Sequence, residues 1–275
     1  MTLTSLIDDS SRCGFPTEHG LSLHIACADG RNLLFDMGQS SMFVRNAERL
    51  GIPLAEVNEA SISHGHNDHG GGLAAFLTVN KKARVYIHRE AFVPHFSRHT
   101  EGLHDISLDK TLKDNPRLVL CGDTTETPSG AFLFTTPFHP DDTPLPPGSE
   151  RLLTDEGSPD SFSHEQSLII KEGPHTVLFA GCAHRGIVNI IRQATRLIGH
   201  TPTLVVGGMH LSRHGLSPTE EDAAITRLAA DLNAFPECRF LTMHCTGLTQ
   251  YDKLRNLLGS RITYLSCGEQ YVLRR

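Results

Sequence analysis

The chain has 275 residues, enough to bury a full core as one large α/β domain or two smaller ones. Its 39% hydrophobic and 20% charged content describes an ordinary soluble globular protein, and a net charge of −6 offers nucleic acid no basic stripe. Met1 to Ser11 lacks the cationic start and apolar run of a secretory signal, and no apolar stretch approaches the roughly 20 residues that span a bilayer. Seven cysteines with no C-x-x-C pair read as reduced thiols in a cytoplasmic protein.

In chain order, Leu21 to Ala26 alternates, Asp29-Gly30 turns, and Asn32 to Asp36 returns as the second arm of a hairpin. Ser41 to Leu50 is helix-like and stops at Gly51. Ala60 to Ser63 is a short strand, Leu73 to Val79 a helix, and Arg84 to His88 a strand. Residues 89–116 show weak periodicity and carry His95, His99 and His104; they read as a long excursion, a lid. Strands resume at Arg117 to Cys121 and Ala131 to Phe138. The Pro/Asp/Gly/Ser-rich stretch 140–160 reads as a surface loop rather than a linker, because residues beyond it complete the same site. Residues 1–275 then form a single domain.

Ser167 to Lys171 and Thr176 to Ala180 flank Glu172-Gly173-Pro174 as a second hairpin. Ile187 to Ile198, Thr203 to Val206, a helix from Pro218, Phe240 to Met243, Tyr251 to Leu258 and Ile262 to Leu265 then alternate helix and strand. Ser217 as N-cap, Pro218 at N1 and Glu220 at N3 give the Pro218 helix good start chemistry. Two hairpin-led halves suit two packed sheets with helices outside.

The densest chemistry is His64-Gly65-His66-Asn67-Asp68-His69, running into Gly70-Gly71-Gly72. His64 and His66 have the spacing that puts two side chains on one side of extended backbone, and Asp68 and His69 follow where the chain turns. Imidazole nitrogen and carboxylate oxygen are zinc ligands, and four in a row predict two adjacent metal positions. A dinuclear site needs later strand ends to supply more ligands. Apolar runs lead into Gly181-Cys182-Ala183-His184-Arg185-Gly186, into Gly207-Gly208-Met209-His210 and into His244-Cys245-Thr246-Gly247. That places three more imidazoles at sheet edges, where α/β proteins keep their sites.

His64-x-His66-x-Asp68-His69 is similar to the signature of the metallo-β-lactamase superfamily, whose fold is an αββα sandwich of two mixed sheets with outer helices. Glu18-His19-Gly20-Leu21-Ser22, Leu34-Phe35-Asp36-Met37-Gly38, Ser63-His64-Gly65-His66, Gly181-Cys182-Ala183-His184, Gly207-Gly208-Met209-His210-Leu211 and His244-Cys245-Thr246-Gly247 extend the likeness. Together they resemble the subgroup named after an archaeal dihydropterin-ribofuranosylaminobenzene-phosphate synthase. The resemblance implies that His64 and His66 bind one metal, Asp68 and His69 the second, and that His244 closes the second. The superfamily usually adds a third His and a bridging Asp, but here Gly181-Cys182 stands where Gly-Asp would. His184 is the first candidate for the replacement ligand and Cys182 the second, while His164, beside Glu165, falls where the third His would come. Asp36 would accept a ligand N–H and fix its tautomer.

His210 could ligate metal, but the resemblance and its separate strand imply a pocket wall, where it would protonate a leaving group or hold a phosphate oxygen. His88, ending a strand, is a further pocket candidate. Arg185-Gly186, opening a helix, offers N–H groups and a cation as a phosphate seat. The reading is a hydrolase with Asp68 and His210 as catalytic residues. Two zinc ions would lower the pKa of a shared water from 15.7 toward about 7, giving hydroxide at neutral pH; manganese and iron accept the same ligands. Its substrate would be a small phosphorylated or pyrophosphorylated, pterin-like metabolite, with neither nucleic acid nor membrane as partner and the oligomeric state left open. The alternatives are a dihydropterin-transferring synthase that forms a C–N bond with loss of pyrophosphate, or a metal-containing ligand-binding protein without turnover.

Overall fold

Two seven-stranded sheets face each other across an apolar layer, in a computed structural model that describes residues 1–154, 157–212 and 215–274. The first half runs β1 (Thr2–Ile7), β2 (Ser22–Ala26), β3 (Asn32–Phe35), α1 (Met42–Arg49), β4 (Glu59–Ser61), the single-turn α2 (Asn67–Gly70), α3 (Leu73–Val79) and β5 (Arg84–His88). A hairpin of β6 (His95–His99) and β7 (Gly102–Asp105) precedes β8 (Leu118–Cys121), β9 (Thr124–Glu126) and β10 (Phe132–Thr135). After β11 (Leu152–Thr154) and β12 (Ser158–Pro159) come β13 (Gln166–Glu172) and β14 (His175–Phe179). The chain closes with α4 (Ile187–Ile198), β15 (Leu204–Gly207), α5 (Pro218–Leu232), β16 (Arg239–Thr242), α6 (Leu248–Leu258), β17 (Ile262–Tyr264) and β18 (Gln270–Val272).

The first sheet has the order β18-β1-β2-β3-β4-β5-β8 and the second β17-β16-β15-β14-β13-β10-β9. Strands buried on both faces explain the near-continuous apolar runs. Val177 and Phe179 of β14 join Leu23, Ile25 and Phe35 of the other sheet in the central layer, while Leu178 points outward under α4. The apolar faces of α4, α5 and α6 cover one outer surface, and those of α1 and α3 cover the other. This is the αββα sandwich. No helix among the described residues is long and apolar enough to cross a membrane. Ser217 and Glu220 form the expected capping box of α5, with Pro218 in the first turn.

Two segments carry more structure than their sequence suggested. The 89–116 excursion holds β6 and β7, which pair with β11 and β12 of the 140–160 stretch in a third sheet, order β12-β11-β6-β7. That stretch is therefore not a plain surface loop, and Leu152, Leu153 and Asp160 are buried in it. The edge strand β18 and its neighbour β1 also escaped the sequence reading. Thr and Ser at alternate positions make Thr2-Leu3-Thr4-Ser5 look polar, yet Thr4 and Ser5 are buried.

Candidate metal centre

Each chemistry-bearing side chain leaves the carboxyl end of a strand, where an α/β sheet offers exposed backbone turns. Asp8 and Asp9 follow β1, Asp36 follows β3, His64 to His69 follow β4, Cys182 and His184 follow β14, His210 follows β15 and His244 follows β16. Four of these turns put a non-glycine residue in the left-handed region: Asp36 (φ 58°), Ala183 (φ 58°), His210 (φ 46°) and His244 (φ 49°). Such conformations cost on the order of 1–3 kcal/mol each and persist where the surroundings hold them. Gly181 must lack a side chain, because a Cβ there would collide with Ser63 Oγ.

The donors fall into two adjacent sets. His64, His66 and His184 form the first, with one nitrogen of each within 4.8 Å of the others. His64 Nε2 lies 3.3 Å from His184 Nε2. Asp68, His69, Cys182 and His244 form the second, within the same limit. His69 Nε2 is 3.1 Å from Cys182 Sγ, and Asp68 Oδ2 is 3.3 Å from His244 Nε2. The His64 and His69 rings are 4.1 Å apart, so the sets share a wall.

Carboxylates behind the imidazoles aim them. Asp36 Oδ2 is 2.7 Å from His69 Nδ1 and accepts the Ser63 hydroxyl at 2.8 Å, while Asp36 Oδ1 accepts the Ser63 N–H at 2.7 Å. Ser63 Oγ in turn sits 2.8 Å from His64 Nδ1. One carboxylate thus directs an imidazole in each set. Asp9 Oδ1 holds His244 Nδ1 at 2.7 Å, and Asp8 Oδ1 accepts the His244 N–H. Glu165 anchors the turn that carries His184, accepting the His184 and Arg185 N–H groups at 2.7 and 2.9 Å.

The electrostatics suit cation binding. Burial, reinforced by neighbouring imidazoles, drives His64 and His184 well below the ordinary histidine pKa, so both are neutral ligands in waiting. Burial alone would raise the pKa of Asp68, but His69, His244 and His19 hold it well below the carboxylate range. Burial, with Cys245 and Asp68 close by, keeps the Cys182 thiol well above its usual value. His66 Nε2 and His244 Nε2 are buried without a hydrogen-bond partner. Orphaned imidazole nitrogens beside a carboxylate and a thiol are the donor set of a divalent transition metal, and the residues present fit zinc.

The structure brings together His64, His66, Asp68, His69, His184 and His244, with Asp36 behind His69 as expected. The sequence offered His184 first and Cys182 second for one missing ligand, and the structure sets each beside a different group of donors. The left-handed turn at Ala183 sends Cys182 to the second set, where the bridging Asp was missing, and His184 to the first. His164 completes neither set but lies in another donor group, with His66, His95 and Asp160. Its Nδ1 accepts the Gly65 N–H at 2.9 Å and its Nε2 faces Asp160 Oδ2 at 3.0 Å. Asp160 also approaches His95 Nδ1 at 3.2 Å and His66 Nε2 at 3.9 Å.

A cavity of about 370 Å³ opens onto both sets and is walled in part by His19, His210 and Cys245. His210 lies where the sequence put it. His88 and Arg185 do not reach this cavity. His88 is buried, with Nδ1 accepting from the Glu90 N–H. Arg185 is buried with Nε donating to Thr136 O and its guanidinium 3.5 Å from the Phe138 ring centre, and its own N–H is taken by Glu165. Sequence reasoning missed Asp8, Asp9, Glu165, Asp160 and His95, whose roles arise from contacts distant in sequence. The adjacent carboxylates Asp8-Asp9 were the one local signal.

An αββα sandwich with paired ligand sets at its strand ends defines a metallo-hydrolase-like class. Residues 20–192 match the metallo-beta-lactamase superfamily, and the chain belongs to it. It is 26% identical over 253 residues to the 7,8-dihydropterin-6-methyl-4-(beta-D-ribofuranosyl)-aminobenzene-5'-phosphate synthase of Methanocaldococcus jannaschii, covering 85% of this chain and 82% of the relative. An uncharacterized protein of the same archaeon is 25% identical over 255 residues, 92% of this chain and 93% of its own. The crystal structure of a metal-dependent hydrolase of the beta-lactamase superfamily matches with TM-score 0.80 and 29% identity over 100% of both chains. Zinc-bound PqqB from Methylobacterium extorquens, at TM-score 0.57 and 12% identity over 99% of this chain and 100% of its own, shares the fold.

Proposed function

We propose that this protein is a two-metal hydrolase of a small phosphorylated or pyrophosphorylated, pterin-like metabolite. The observation that carries the reading is the pair of ligand sets, His64/His66/His184 and Asp68/His69/Cys182/His244, opening side by side onto one cavity. Divalent metals held by these residues would supply Lewis acidity and lower the pKa of a bound water toward about 7. The chain's own groups do the rest. Asp68, kept ionised by His69, His244 and His19, would hold a metal and orient the attacking water as a hydrogen-bond acceptor. His210, on the cavity wall with its ring centre 4.5 Å from that of His184, protonates the leaving oxygen. Asp36 and Asp9 keep His69 and His244 turned toward the reacting centre.

The synthase activity named for the archaeal relative favours a second reading, transfer of a dihydropterin to an arylamine with loss of pyrophosphate. Incubation in ¹⁸O-water with phosphomonoesters, phosphodiesters and pyrophosphates separates the two. Hydrolysis places the label in the product, whereas transfer leaves the product unlabelled. Turnover that survives complete removal of metal by chelation refutes both.

A further inference from the structure

Above the metal centre, the third sheet turns two arginines toward the cavity. Arg98 lies near the end of β6 and Arg151 precedes β11, and both line the cavity that holds the ligand sets. The strands pair antiparallel, Leu152 opposite Ser97 and Leu153 opposite Phe96, so one more step of that register faces Arg151 with Arg98. Like charges directly across a strand pair are destabilising. Both side chains are exposed at the rim, and neither guanidinium has a hydrogen-bond or ion-pair partner among the described residues. Asp105, the nearby acid of the same wall, is engaged with the Ser107 N–H at 2.8 Å. A chain of net charge −6 thus sets two cations, unpaired among the described residues, on one rim. A rim of one sign on a low-dielectric cleft focuses its field inward and raises the local concentration of oppositely charged ligand.

We propose that Arg98 and Arg151 form a second anion subsite at the rim of the cavity, gripping a phosphate of the substrate remote from the group that reacts at the metal centre. The proposal rests on the reading of this cavity as the substrate site. It adds a requirement that the metal ligands do not make: the substrate carries two anionic ends. A phosphate between two guanidinium forks accepts paired, charge-assisted hydrogen bonds and relieves the repulsion between the arginines. The subsite sits on the β6–β7 hairpin and its partner strand, apart from the strand ends that carry the ligands, so it sets substrate length rather than reaction type.

Calorimetric titration of the metal-loaded protein with orthophosphate and with α,ω-alkanediol bisphosphates of increasing chain length tests this. Orthophosphate reads the metal centre alone. One bisphosphate length is expected to bind about 10- to 100-fold more tightly, the worth of one or two charge-assisted hydrogen bonds. Arg98→Gln and Arg151→Gln each cut that advantage and together abolish it, with orthophosphate affinity and metal content unchanged. Raising the salt erodes the advantage in the parent protein. The proposal is overturned if no chain length outperforms orthophosphate, or if the advantage survives in the double variant. The readout needs no turnover. A protein that shows the bisphosphate preference but hydrolyses no ester refutes the catalytic reading and leaves the subsite standing.

Discussion

Replacing Asp36 with asparagine should damage both metal positions through a change of a few atoms. In the parent, Asp36 Oδ2 faces two donors, the Ser63 hydroxyl at 2.8 Å and His69 Nδ1 at 2.7 Å, while Oδ1 takes the Ser63 N–H at 2.7 Å. Because the carboxylate only accepts, His69 must carry its proton on Nδ1 and leave Nε2 free for metal. The Ser63 hydroxyl, donating to Asp36, accepts from His64 Nδ1 and frees His64 Nε2 in the same way. In Asp36→Asn the amide oxygen must stay on the Ser63 N–H, which cannot turn. The amide NH₂ then faces Ser63 Oγ and His69 Nδ1. His69 is forced to the tautomer protonated on Nε2, and the reversed Ser63 hydroxyl drives His64 to the same state.

Loss of such outer partners weakens metal binding by about 10- to 100-fold, or about 1.4–2.7 kcal/mol, and here the loss falls on one ligand of each set. The fold should survive, since no polar group is left without a partner. Competition against a chromogenic chelator measures the affinities, and ¹⁵N chemical shifts of the imidazoles read the tautomers. An Asp36→Asn protein that holds both metals with parental affinity would show that the network does not set the tautomers.

Cys182→Ser should lower affinity at the second position while sparing the first, and the cobalt-loaded parent should show a sulfur-to-metal charge-transfer band that the variant lacks. An identical cobalt spectrum in both proteins would remove Cys182 from the ligand set. His210→Gln should reduce kcat by about 10²- to 10⁴-fold with metal content unchanged, the range for a lost general acid; an unchanged kcat would exclude proton donation there. Gly181→Ala should cost about 1–3 kcal/mol in denaturant titration, because the new methyl group displaces Ser63 from between Asp36 and His64. Burial would raise the Glu269 pKa, but Arg12 and Ser266 hold it below the glutamate range. A carboxylate with a depressed folded pKa contributes stability above its unfolded pKa of about 4.3 and loses it as pH falls through the folded value. Glu269→Gln should therefore cost up to about 1 kcal/mol at neutral pH, this half-exposed pair being partly screened, and the difference should vanish in acid. Equal urea midpoints of the two proteins at neutral pH would contradict this.

The sequence disclosed the site where ligands are local and strand ends are apolar. His64 to His69 could be read from density alone, and His244 from its place after an apolar run. Asp36 needed the resemblance to give it a role. The division of labour between Cys182 and His184 was not legible, because it depends on the left-handed turn at Ala183, a conformation that alanine rarely announces. Arg185 looked like a phosphate seat because it opens a helix. Glu165, 20 residues earlier in sequence, already occupies that seat. Asp9 and Arg98 reach the site only through tertiary pairing, the one just after a strand that reads as polar and the other from a segment with weak periodicity. Regular strands and helices announced themselves through alternation and apolar runs, so the central layers were legible while the third sheet was not.

The central claim is that two cations sit side by side between residues from both halves of the chain. Crystals of protein purified without added metal, measured at the absorption edge of the metal found by elemental analysis, test it directly. Two anomalous peaks are expected, one bounded by His64, His66 and His184 and the other by Asp68, His69, Cys182 and His244. A metal-replete crystal with no anomalous density between these side chains would contradict it.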